Sequence, residues 1–398
     1  MVQQGVTMVA LFVLPALAAW LFLMVLRGGF WRADQLLPAA KGPEHWPSVA
    51  AIIPARNEAA TIRQVIDAHR RCTYPGELKV FLCDDHSDDG TAEQASLSGG
   101  SAPLEIVAVP DLQPGWSGKL WAMKAGLTEV EDDALNADYV LFTDADIVVD
   151  ENLLTRLMAK AEKDGLALTS IMARLDDRGF WGGLLIPAFI FFFQKLYPFP
   201  LINDLTSHVA GAAGGVMLVK RDALQKIGGL EAMRGALIDD CSLAERIKNT
   251  EPRAPIGLYL SSTYGGATSL RDNRSFASLE LMVARTAYTQ LQYNPLLLIG
   301  TLIGMTLIYL IAPLAVITAP FHQNLAAFSL GLVTWSLMSF AYRPTLTRYG
   351  RRAREAFALP IAALFYGWFT WLSAWRHWRG RGGQWKGRSY PAGQTRKV

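Results

Sequence analysis

The chain is poor in charge for its length. Only 18% of its 398 residues are Asp, Glu, Lys or Arg, while 51% are hydrophobic, which is too apolar for an ordinary soluble enzyme. Cysteine is also scarce, and Cys72, Cys83 and Cys241 have neither CxxC nor metal-ligand spacing. We therefore expect reduced, structural thiols. The sequence contains no internal repeat, low-complexity tract or nucleic-acid-binding motif, so we expect no nucleic acid partner.

The hydrophobic excess is concentrated in long runs. Residues 6–26 can cross a bilayer of roughly 30 Å, and Arg27 and Arg32 follow them while no Lys or Arg precedes. This pattern predicts an uncleaved anchor over 1–32, followed by a cytoplasmic domain. Two further runs predict a transmembrane hairpin over 296–341. A third, 357–375, has basic segments on both sides and could span or re-enter the membrane.

Basic residues accumulate at the C-terminal end. From Tyr342 onward there are twelve Lys or Arg residues and one acidic residue, Glu355. A basic region (342–398) beside membrane segments indicates attraction to anionic membrane lipids. The rest of the chain is net acidic, which again argues against binding to nucleic acid.

Between the membrane segments, strand and helix patterns alternate. Apolar runs predict strands, and helical spacing predicts the helices 61–71, 119–131 and 151–163 between them. The predicted strands are 49–53, 78–83, 104–109 and 139–143. This indicates an α/β domain over 45–290 with a mostly parallel sheet, whose ligand lies beyond the carboxyl ends of the strands.

The last of these strands runs into two carboxylates, in YVLFTDAD (residues 139–146). On an extended segment alternate side chains point the same way, so Asp144 and Asp146 could face one ligand. Paired carboxylates suit Mg²⁺ or Mn²⁺, which keeps other positions for water and a diphosphate. The alternative is a solvated strand end or turn, because a DxD spacing also arises by chance.

Polar segments also follow the other strands. In PARNEAATI, Pro54 ends the first strand, and Asn57, Glu58 and Thr61 could cap a helix. CDDHSDDGT after the second strand suits a turn, although its acidic residues could also accept hydrogen bonds from a base and ribose. After the third strand, Lys119 opens a helix behind a Gly-rich turn. It is a surface lysine or, with the helix N-terminus, faces an anion such as diphosphate.

Six motifs occur in register between about residues 49 and 248: IIPARNE, CDDHSDDGT, GKLWAMKAG, the DAD, GGVMLVKRDAL with a following GG, and IDDCSLAERI. Together they resemble the nucleotide-diphosphate-sugar-dependent family 2 glycosyltransferases. WSGKLWA, IPAFIFFFQKLYPF and RGALIDDC resemble, more narrowly, the hopene-associated glycosyltransferases of bacterial hopanoid biosynthesis. The resemblance implies a GT-A nucleotide-diphospho-sugar transferase fold with N- and C-terminal transmembrane helices, multi-pass in the bacterial inner (cytoplasmic) membrane.

The resemblance also implies residue roles. Asp146 would bind the Mg²⁺ or Mn²⁺ ion, and Asp240 would be the general base. Asp239 stands where most relatives have Glu, and N-capping of the following helix is the alternative role for both residues. The residues implied to bind the nucleotide-sugar donor are Pro54, Arg56, Glu58, Asp85, Lys119 and Asp144, of which Asp85 would accept a hydrogen bond from the uracil imide.

The segment 180–199 suggests how the acceptor reaches the site. Its apolar part, residues 181–193, is too short to span a bilayer, so we expect an interfacial element that brings a lipid hydroxyl to the sugar, or a buried core helix. Of the QxxRW signature of processive synthases, this chain has only the Arg, at Arg285. Because the rest of the signature is missing, the sequence favours transfer of a single sugar. The acceptor-region candidates are Phe189, Phe193, Lys195, Tyr197, His208 and Arg285, although His208 is more simply a structural histidine.

The sequence thus predicts a membrane-anchored, metal-dependent, inverting glycosyltransferase. It would move one sugar from a nucleotide-diphosphate sugar to a lipid hydroxyl in hopanoid or related lipid biosynthesis. The resemblance implies that this donor is a UDP-sugar. Two alternatives stay open. One is transfer to a polyprenyl phosphate or other glycolipid precursor, and the other is a non-catalytic nucleotide-sugar-binding membrane subunit.

Overall fold

The computed structural model describes residues 2–235, 239–262, 266–380, 384–385 and 388–389. The chain divides into two compact units. The sheet unit comprises 34–176, 201–271 and 383–398, and the helical unit comprises 1–33, 177–200 and 272–382. Most of the basic segment after Gly380 lies outside the described residues.

Eleven strands are present in the described part of the chain. In chain order they are β1 Val49–Ala55, β2 Leu78–Asp84, β3 Leu104–Ala108, β4 Tyr139–Thr143, β5 Ile147–Val149, β6 Leu168–Met172, β7 Val216–Lys220, β8 Ile256–Leu260, β9 Ala267–Ser269, β10 Gln384–Trp385 and β11 Arg388–Ser389. The four predicted strands correspond to β1 to β4.

The helices alternate with these strands and then follow them. They are α1 Val2–Val25, α2 Ile62–Arg70, α3 Thr91–Ser96, α4 Gly118–Asp132, α5 Leu153–Asp164, α6 Gly179–Leu196, α7 Phe199–Ile202, α8 Arg221–Lys226, α9 Asp239–Lys248, α10 Phe276–Ala284, α11 Ala287–Gln290, α12 Pro295–Met305, α13 Ile311–Ile317, α14 Ala319–His322, α15 Leu325–Arg348 and α16 Leu359–Trp378. A π-helix, Thr306–Leu310, joins α12 to α13. Short 3-10 helices cover Phe30–Arg32, Gly229–Met233 and Ala353–Ala358.

The sheet unit is built on one seven-stranded sheet with the order β3-β2-β1-β4-β7-β6-β8. Only β7 runs antiparallel to its neighbours, β4 and β6. Every residue of β1, β4, β6 and β8 is buried, as expected of strands whose two faces are both covered. The sequence prediction of a mostly parallel α/β sheet is therefore confirmed.

Helices cover this sheet with their apolar stripes. In α2 the buried residues Ile62, Val65, Ile66 and His69 follow helical spacing and form one face. Helix α4 packs closely on the sheet at Gly126, where a Cβ would lie 2.7 Å from Ile52 Cγ2. The absence of a side chain at Gly126 therefore lets this helix approach β1, and the approach keeps the N-terminal end of α4 near the carboxyl ends of the strands.

The helical unit, together with residues 201–202, contains the four helical segments of the described chain that are long and apolar enough to cross a bilayer: 179–202, 295–317, 325–348 and 353–378. Its helices expose large apolar side chains, among them Leu296, Phe321 and Leu325, each more than three-quarters exposed. An apolar surface of this kind suits lipid, and helices satisfy their backbone hydrogen bonds without water.

Three sequence-based boundaries differ from the structure. The segment 180–199 belongs to the helical unit rather than to the sheet domain, as do residues 272–290. The apolar run 181–193 is by itself too short to span a bilayer. Helix α6 extends beyond this run, and together with α7 it reaches spanning length. The expected hairpin end at 341 is also too early, because α15 continues to Arg348. The ambiguous run 357–375 forms one continuous helix, α16.

Candidate functional site

The loops after β1 and β2 are bonded to each other at the carboxyl edge of the sheet. The backbone N–H groups of Asn57 and Glu58 donate to the hydroxyls of Ser87 and Thr91, at 3.0 and 2.8 Å. The Asn57 side-chain oxygen accepts from the Asp88 N–H at 3.1 Å. These hydrogen bonds give part of the acidic loop a structural role, because they join it to the loop after β1. Thr61 lies at the N-cap position of α2, but its side chain makes no capping hydrogen bond.

A buried carboxylate lies inside this pair of loops. Asp85 is fully buried, and its Oδ1 lies 3.2 Å from His86 Nδ1. Arg56 Nη1 donates to the Asp85 carbonyl oxygen at 2.5 Å and lies 3.8 Å from its Oδ2. The structure thus brings two predicted donor-binding residues, Arg56 and Asp85, together. Pro54 does not end β1 as predicted, because it pairs with Cys83 inside the strand.

The DAD segment is a turn rather than an extended strand end. After β4 ends at Thr143, the Ile147 N–H donates to the Asp144 carbonyl oxygen at 3.1 Å. The alternation argument for two parallel carboxylates therefore fails, and the turn gives each carboxylate different partners. Asp144 Oδ1 forms an ion pair with Lys119 Nζ at 2.8 Å. Lys119 lies in the first turn of α4, whose N-cap is Ser117.

Asp146 has partners that the sequence interpretation missed. Its Oδ2 accepts a hydrogen bond from Ser269 Oγ at 2.8 Å, and Arg271 Nε lies 3.6 Å from the same oxygen. Ser269 ends β9, which pairs with β5 in a two-stranded antiparallel sheet. The only sequence signal was a short polar segment, ATSLR, after a region without a strong strand pattern. Pairing with β5 is what brings it to the metal-ligand candidate.

The carboxylate of Asp146 fits a divalent cation. Within the part of the chain that the structure describes, both side-chain contacts of Asp146 involve Oδ2, so Oδ1 can act as a ligand. No group of three or more His, Cys, Asp or Glu side chains that could enclose a metal occurs among the described residues. The donor set therefore suits Mg²⁺ or Mn²⁺, which takes most of its ligands from water and a substrate diphosphate.

Asp240 lies near the start of α9, and backbone groups orient its carboxylate. Its Oδ2 accepts from the Gly214 N–H at 2.8 Å, and its Oδ1 accepts from the Cys241 N–H at 2.8 Å. A Cβ at Gly214 would lie 3.2 Å from Oδ2, so glycine allows this close approach. The side chain of Asp239 lies outside the described residues.

The Gly214–Gly215 pair connects the DAD turn to Asp240. The Gly215 carbonyl oxygen accepts from the Asp144 N–H at 3.3 Å and from Thr143 Oγ1 at 2.9 Å. Because Gly214 donates to Asp240 in turn, Lys119, Asp144 and Asp240 belong to one continuous set of contacts. This brings the candidate diphosphate-binding lysine and the candidate base to the same edge of the sheet.

Lys248 anchors the other end of α9. It is fully buried, and its Nζ donates to the carbonyl oxygens of Leu201, Ile202, Asp204 and Val209 at 2.7 to 3.3 Å. Burial lowers the pKa of Lys248 to about 8. The sequence showed only a lysine at the end of a helix, and nothing in it pointed to this role. The contacts hold the segment before Gly214 against the helix that bears Asp240.

The acceptor-region candidates do not form one cluster. Phe189, Phe193, Lys195, Tyr197 and Arg285 belong to the helical unit, whereas His208 belongs to the sheet unit. Phe193 packs on Tyr197 with ring centroids 5.1 Å apart, and the Tyr197 hydroxyl accepts from Gln290 Nε2 at 2.8 Å. His208 is exposed and accepts a hydrogen bond at Nδ1 from Arg253 Nη2 at 2.7 Å. That contact is consistent with a structural histidine.

Comparison with known proteins places these features in a family. A solved structure, the mannosyltransferase PcManGT from Pyrobaculum calidifontis in complex with GDP-Man and Mn²⁺, superposes with a TM-score of 0.54 at 18% identity, covering 90% of this chain and 99% of that one. This likeness supports the GT-A-like fold. An N-acetylglucosaminyltransferase from Mesorhizobium japonicum is 28% identical over 156 residues, which span 35% of this chain and about a third (34%) of that relative's length.

The family model that matches residues 9–398 carries the description Glycosyl transferase family 21. The sequence motifs resemble family 2, and the matching family is family 21. The resemblance therefore holds at the level of GT-A-like glycosyltransferases, while the family number differs. The match covers both the sheet unit and the helical unit. The chain belongs to glycosyl transferase family 21.

Proposed function

We propose that this protein is a membrane-bound glycosyltransferase that moves one sugar from a nucleotide-diphosphate sugar to a lipid hydroxyl, with inversion at the anomeric carbon. The observation that carries the proposal is the continuous set of contacts from Lys119 and Asp144, through Gly214–Gly215, to Asp240. It brings a cation suited to a diphosphate and a carboxylate suited to a base to one sheet edge.

The nucleotide binds between the loops after β1 and β2. The buried carboxylate of Asp85 is a strong acceptor for the imide N–H of a uracil base, which favours a UDP-linked donor. Arg56 and the loop-to-loop hydrogen bonds hold that carboxylate in place. Pro54 near the end of β1 and Glu58 in the loop after it complete the pocket.

The leaving diphosphate meets positive charge at the DAD turn. Lys119 at the start of α4 and Arg271 beside Asp146 stabilise the negative charge that develops as the sugar–oxygen bond breaks. A Mg²⁺ or Mn²⁺ ion held by Asp146 would supply further charge neutralisation and clamp the diphosphate. Asp144, paired with Lys119, contacts the ribose or the sugar.

Asp240 acts as the general base. Two backbone N–H groups orient its carboxylate, and from there it takes the proton of the acceptor hydroxyl as that oxygen attacks the anomeric carbon. Attack from the face opposite the leaving diphosphate inverts the configuration. Asp239, the preceding residue of the acidic pair, is the secondary catalytic candidate.

The helical unit supports a lipid as the acceptor. The four long apolar helical segments found among the described residues and the lipid-compatible surface would keep the protein in the bacterial inner membrane, with the catalytic unit on the cytoplasmic side. Hopanoids and related polyisoprenoid alcohols are the acceptor class that the hopene-associated resemblance favours. The acceptor-region residues of the helical unit, including Phe189, Phe193 and Arg285, would line its path.

The experiment is transfer by purified protein in lipid, with a panel of UDP-sugars, Mg²⁺ or Mn²⁺, and hopanoid or polyprenyl acceptors. Asp240→Asn should lower turnover by about 10²–10⁴-fold while nucleotide binding persists, and Asp222→Asn, an exposed carboxylate on α8, is the matched control. NMR of the product reports inversion. Turnover that needs no metal, or that survives Asp146→Ala unchanged, contradicts this mechanism. Turnover that survives Asp240→Asn would contradict the assignment of the base, and nucleotide-sugar binding without transfer by the unaltered protein would favour a non-catalytic binding subunit.

A further inference from the structure

Two cations lie close together in the helical unit, at the end of a candidate membrane span. Arg27 follows α1, and Lys195 lies in the last turn of α6. The Arg27 guanidinium donates from Nε to the Lys195 carbonyl oxygen at 3.2 Å and from Nη2 to the Leu196 carbonyl oxygen at 3.0 Å. The Arg27 side chain is therefore anchored to the backbone of the last turn of α6, so both cations belong to the same helix end.

The surroundings of this pair are aromatic. Lys195 Nζ donates to the Tyr309 hydroxyl at 2.9 Å and lies 4.8 Å from the Tyr309 ring centroid and 5.5 Å from that of Phe192. Tyr309 belongs to the π-helix Thr306–Leu310, whose Ile308 carbonyl oxygen accepts from Trp20 Nε1 at 2.8 Å. π-Helical turns inside α-helices often occur at functional sites. This one presents the Tyr309 hydroxyl to the lysine.

The positive charge of this site is not balanced by the protein. Among the described residues, neither Arg27 nor Lys195 forms an ion pair with a carboxylate, since their polar contacts are carbonyl oxygens and one phenol. The C-terminal end of α6 contributes only about half a negative charge through its dipole. Two cations in an apolar, membrane-facing unit therefore leave roughly one and a half charges to be neutralised by something else.

The unused donors define the chemistry of that partner. Arg27 Nη1 and two of the three Nζ hydrogens of Lys195 have no acceptor within the described part of the chain. An Arg fork and a Lys ammonium at one helix end match a phosphate, which accepts several hydrogen bonds and carries the opposite charge. At the end of a spanning helix, the phosphate available in a membrane is that of a lipid.

We propose that Arg27 and Lys195, the latter held by the buried Tyr309 hydroxyl, form a binding site for the phosphate of a membrane lipid. The ligand is a monoester or diester phosphate on an apolar chain, supplied either by an anionic phospholipid or by a phosphorylated polyisoprenoid. The site goes beyond the transfer chemistry, because it uses residues of the helical unit alone. It also differs from the general attraction of the basic 342–398 region, because it is a defined pair with fixed geometry.

The test measures lipid binding and not transfer. The full-length protein is delipidated in a mild neutral detergent, and native mass spectrometry follows the binding of phosphatidylglycerol, phosphatidylcholine, a polyprenyl monophosphate and the corresponding polyprenol. We expect the polyprenyl phosphate or phosphatidylglycerol to bind in preference to the polyprenol. The double variant Arg27→Gln/Lys195→Gln should weaken that binding by about tenfold or more. Lys163→Gln, which removes an exposed charge on α5 of the sheet unit, is the control and should bind as the unaltered protein does.

A charge-conserving variant separates binding from folding. Lys195→Arg keeps the cation and should retain phosphate-lipid binding, while size-exclusion profiles report intact folding of every variant. Competition then identifies the source. Displacement of phosphatidylglycerol by polyprenyl phosphate assigns the site to the phosphorylated isoprenoid, and retention of phosphatidylglycerol assigns it to the bilayer lipid. Equal phosphate-lipid binding by Arg27→Gln/Lys195→Gln and Lys163→Gln, or equal binding of polyprenol and its phosphate, would overturn the proposal.

Discussion

Replacement of Ser269 by Ala is the sharpest test of how Asp146 is positioned. Ser269 is 5% exposed and Asp146 is 9% exposed, and the 2.8 Å hydrogen bond between them is short and charge-assisted. A hydrogen bond to a charged group contributes about 1.5–3 kcal/mol. Without it, the one remaining side-chain contact of Asp146 Oδ2 within the described chain is Arg271 Nε at 3.6 Å, beyond hydrogen-bond distance. The carboxylate can then rotate away from the metal-binding orientation.

We expect Ser269→Ala to weaken Mn²⁺ binding by about 10–100-fold, as loss of a partner that orients a metal ligand does in other sites. Free Mn²⁺ is measured by electron paramagnetic resonance during titration of the full-length protein in the presence of UDP. Thr268→Ala is the matched control, because Thr268 is exposed on the same strand and its side chain points to the opposite face.

The two possible failures of this experiment have different meanings. If Ser269→Ala binds Mn²⁺ within twofold of the unaltered protein, Ser269 does not orient Asp146 and the reasoning is refuted. If Asp146→Ala also binds Mn²⁺ normally, the assignment of the metal ligand itself is wrong. Thermal unfolding of each variant shows whether a loss of affinity reflects a loss of folding.

Two further predictions concern the sheet unit. Burial lowers the pKa of His69 from 6.5 to about 4, so the folded state keeps a neutral ring while the unfolded chain gains a proton as pH falls. Stability should therefore fall between pH 6.5 and 4, by at most about 3 kcal/mol. Unfolding temperatures across that range should change less with pH in His69→Leu, and an equal slope in both proteins would contradict the assignment. Gly126→Ala should destabilise the protein by about 1–3 kcal/mol, because its Cβ would overlap Cys83 Sγ and Ile52 Cγ2. In Gly304→Ala the Cβ meets nothing within 4 Å, so unfolding temperatures should fall only for Gly126→Ala.

Local pattern was sufficient for the first half of the sheet. The strands β1 to β4 are mostly apolar, and the helices after them show helical spacing, so local pattern located both. The strands β6, β7 and β8 were not predicted, although all three lie in the central sheet. They are as long as β3 and β4, but the helices α6 and α7 separate β6 from β7 in the chain. No local pattern indicates that such distant segments pair.

The site shows the same division. Motif resemblance brought Arg56, Asp85, Lys119, Asp144, Asp146 and Asp240 forward, and the contacts of the sheet unit connect several of them. The argument from extended geometry failed at Asp144 and Asp146, because a turn replaces the expected strand end. Side-chain direction in that turn depends on its hydrogen bonds and on pairing with β9, and these are long-range features.

The sequence by itself determined that the protein has a parallel α/β unit and apolar helices long enough for a bilayer. The spacing of apolar residues and the length of an apolar run are visible within a single segment of the chain, so both properties can be predicted from local sequence. Only the tertiary structure decided which residues share the site. Ser269 lies 123 residues from Asp146, and Gly214 lies 26 residues from Asp240. The same holds for Arg27 and Lys195, 168 residues apart, because such pairs depend on packing between segments and leave no periodic trace in the chain.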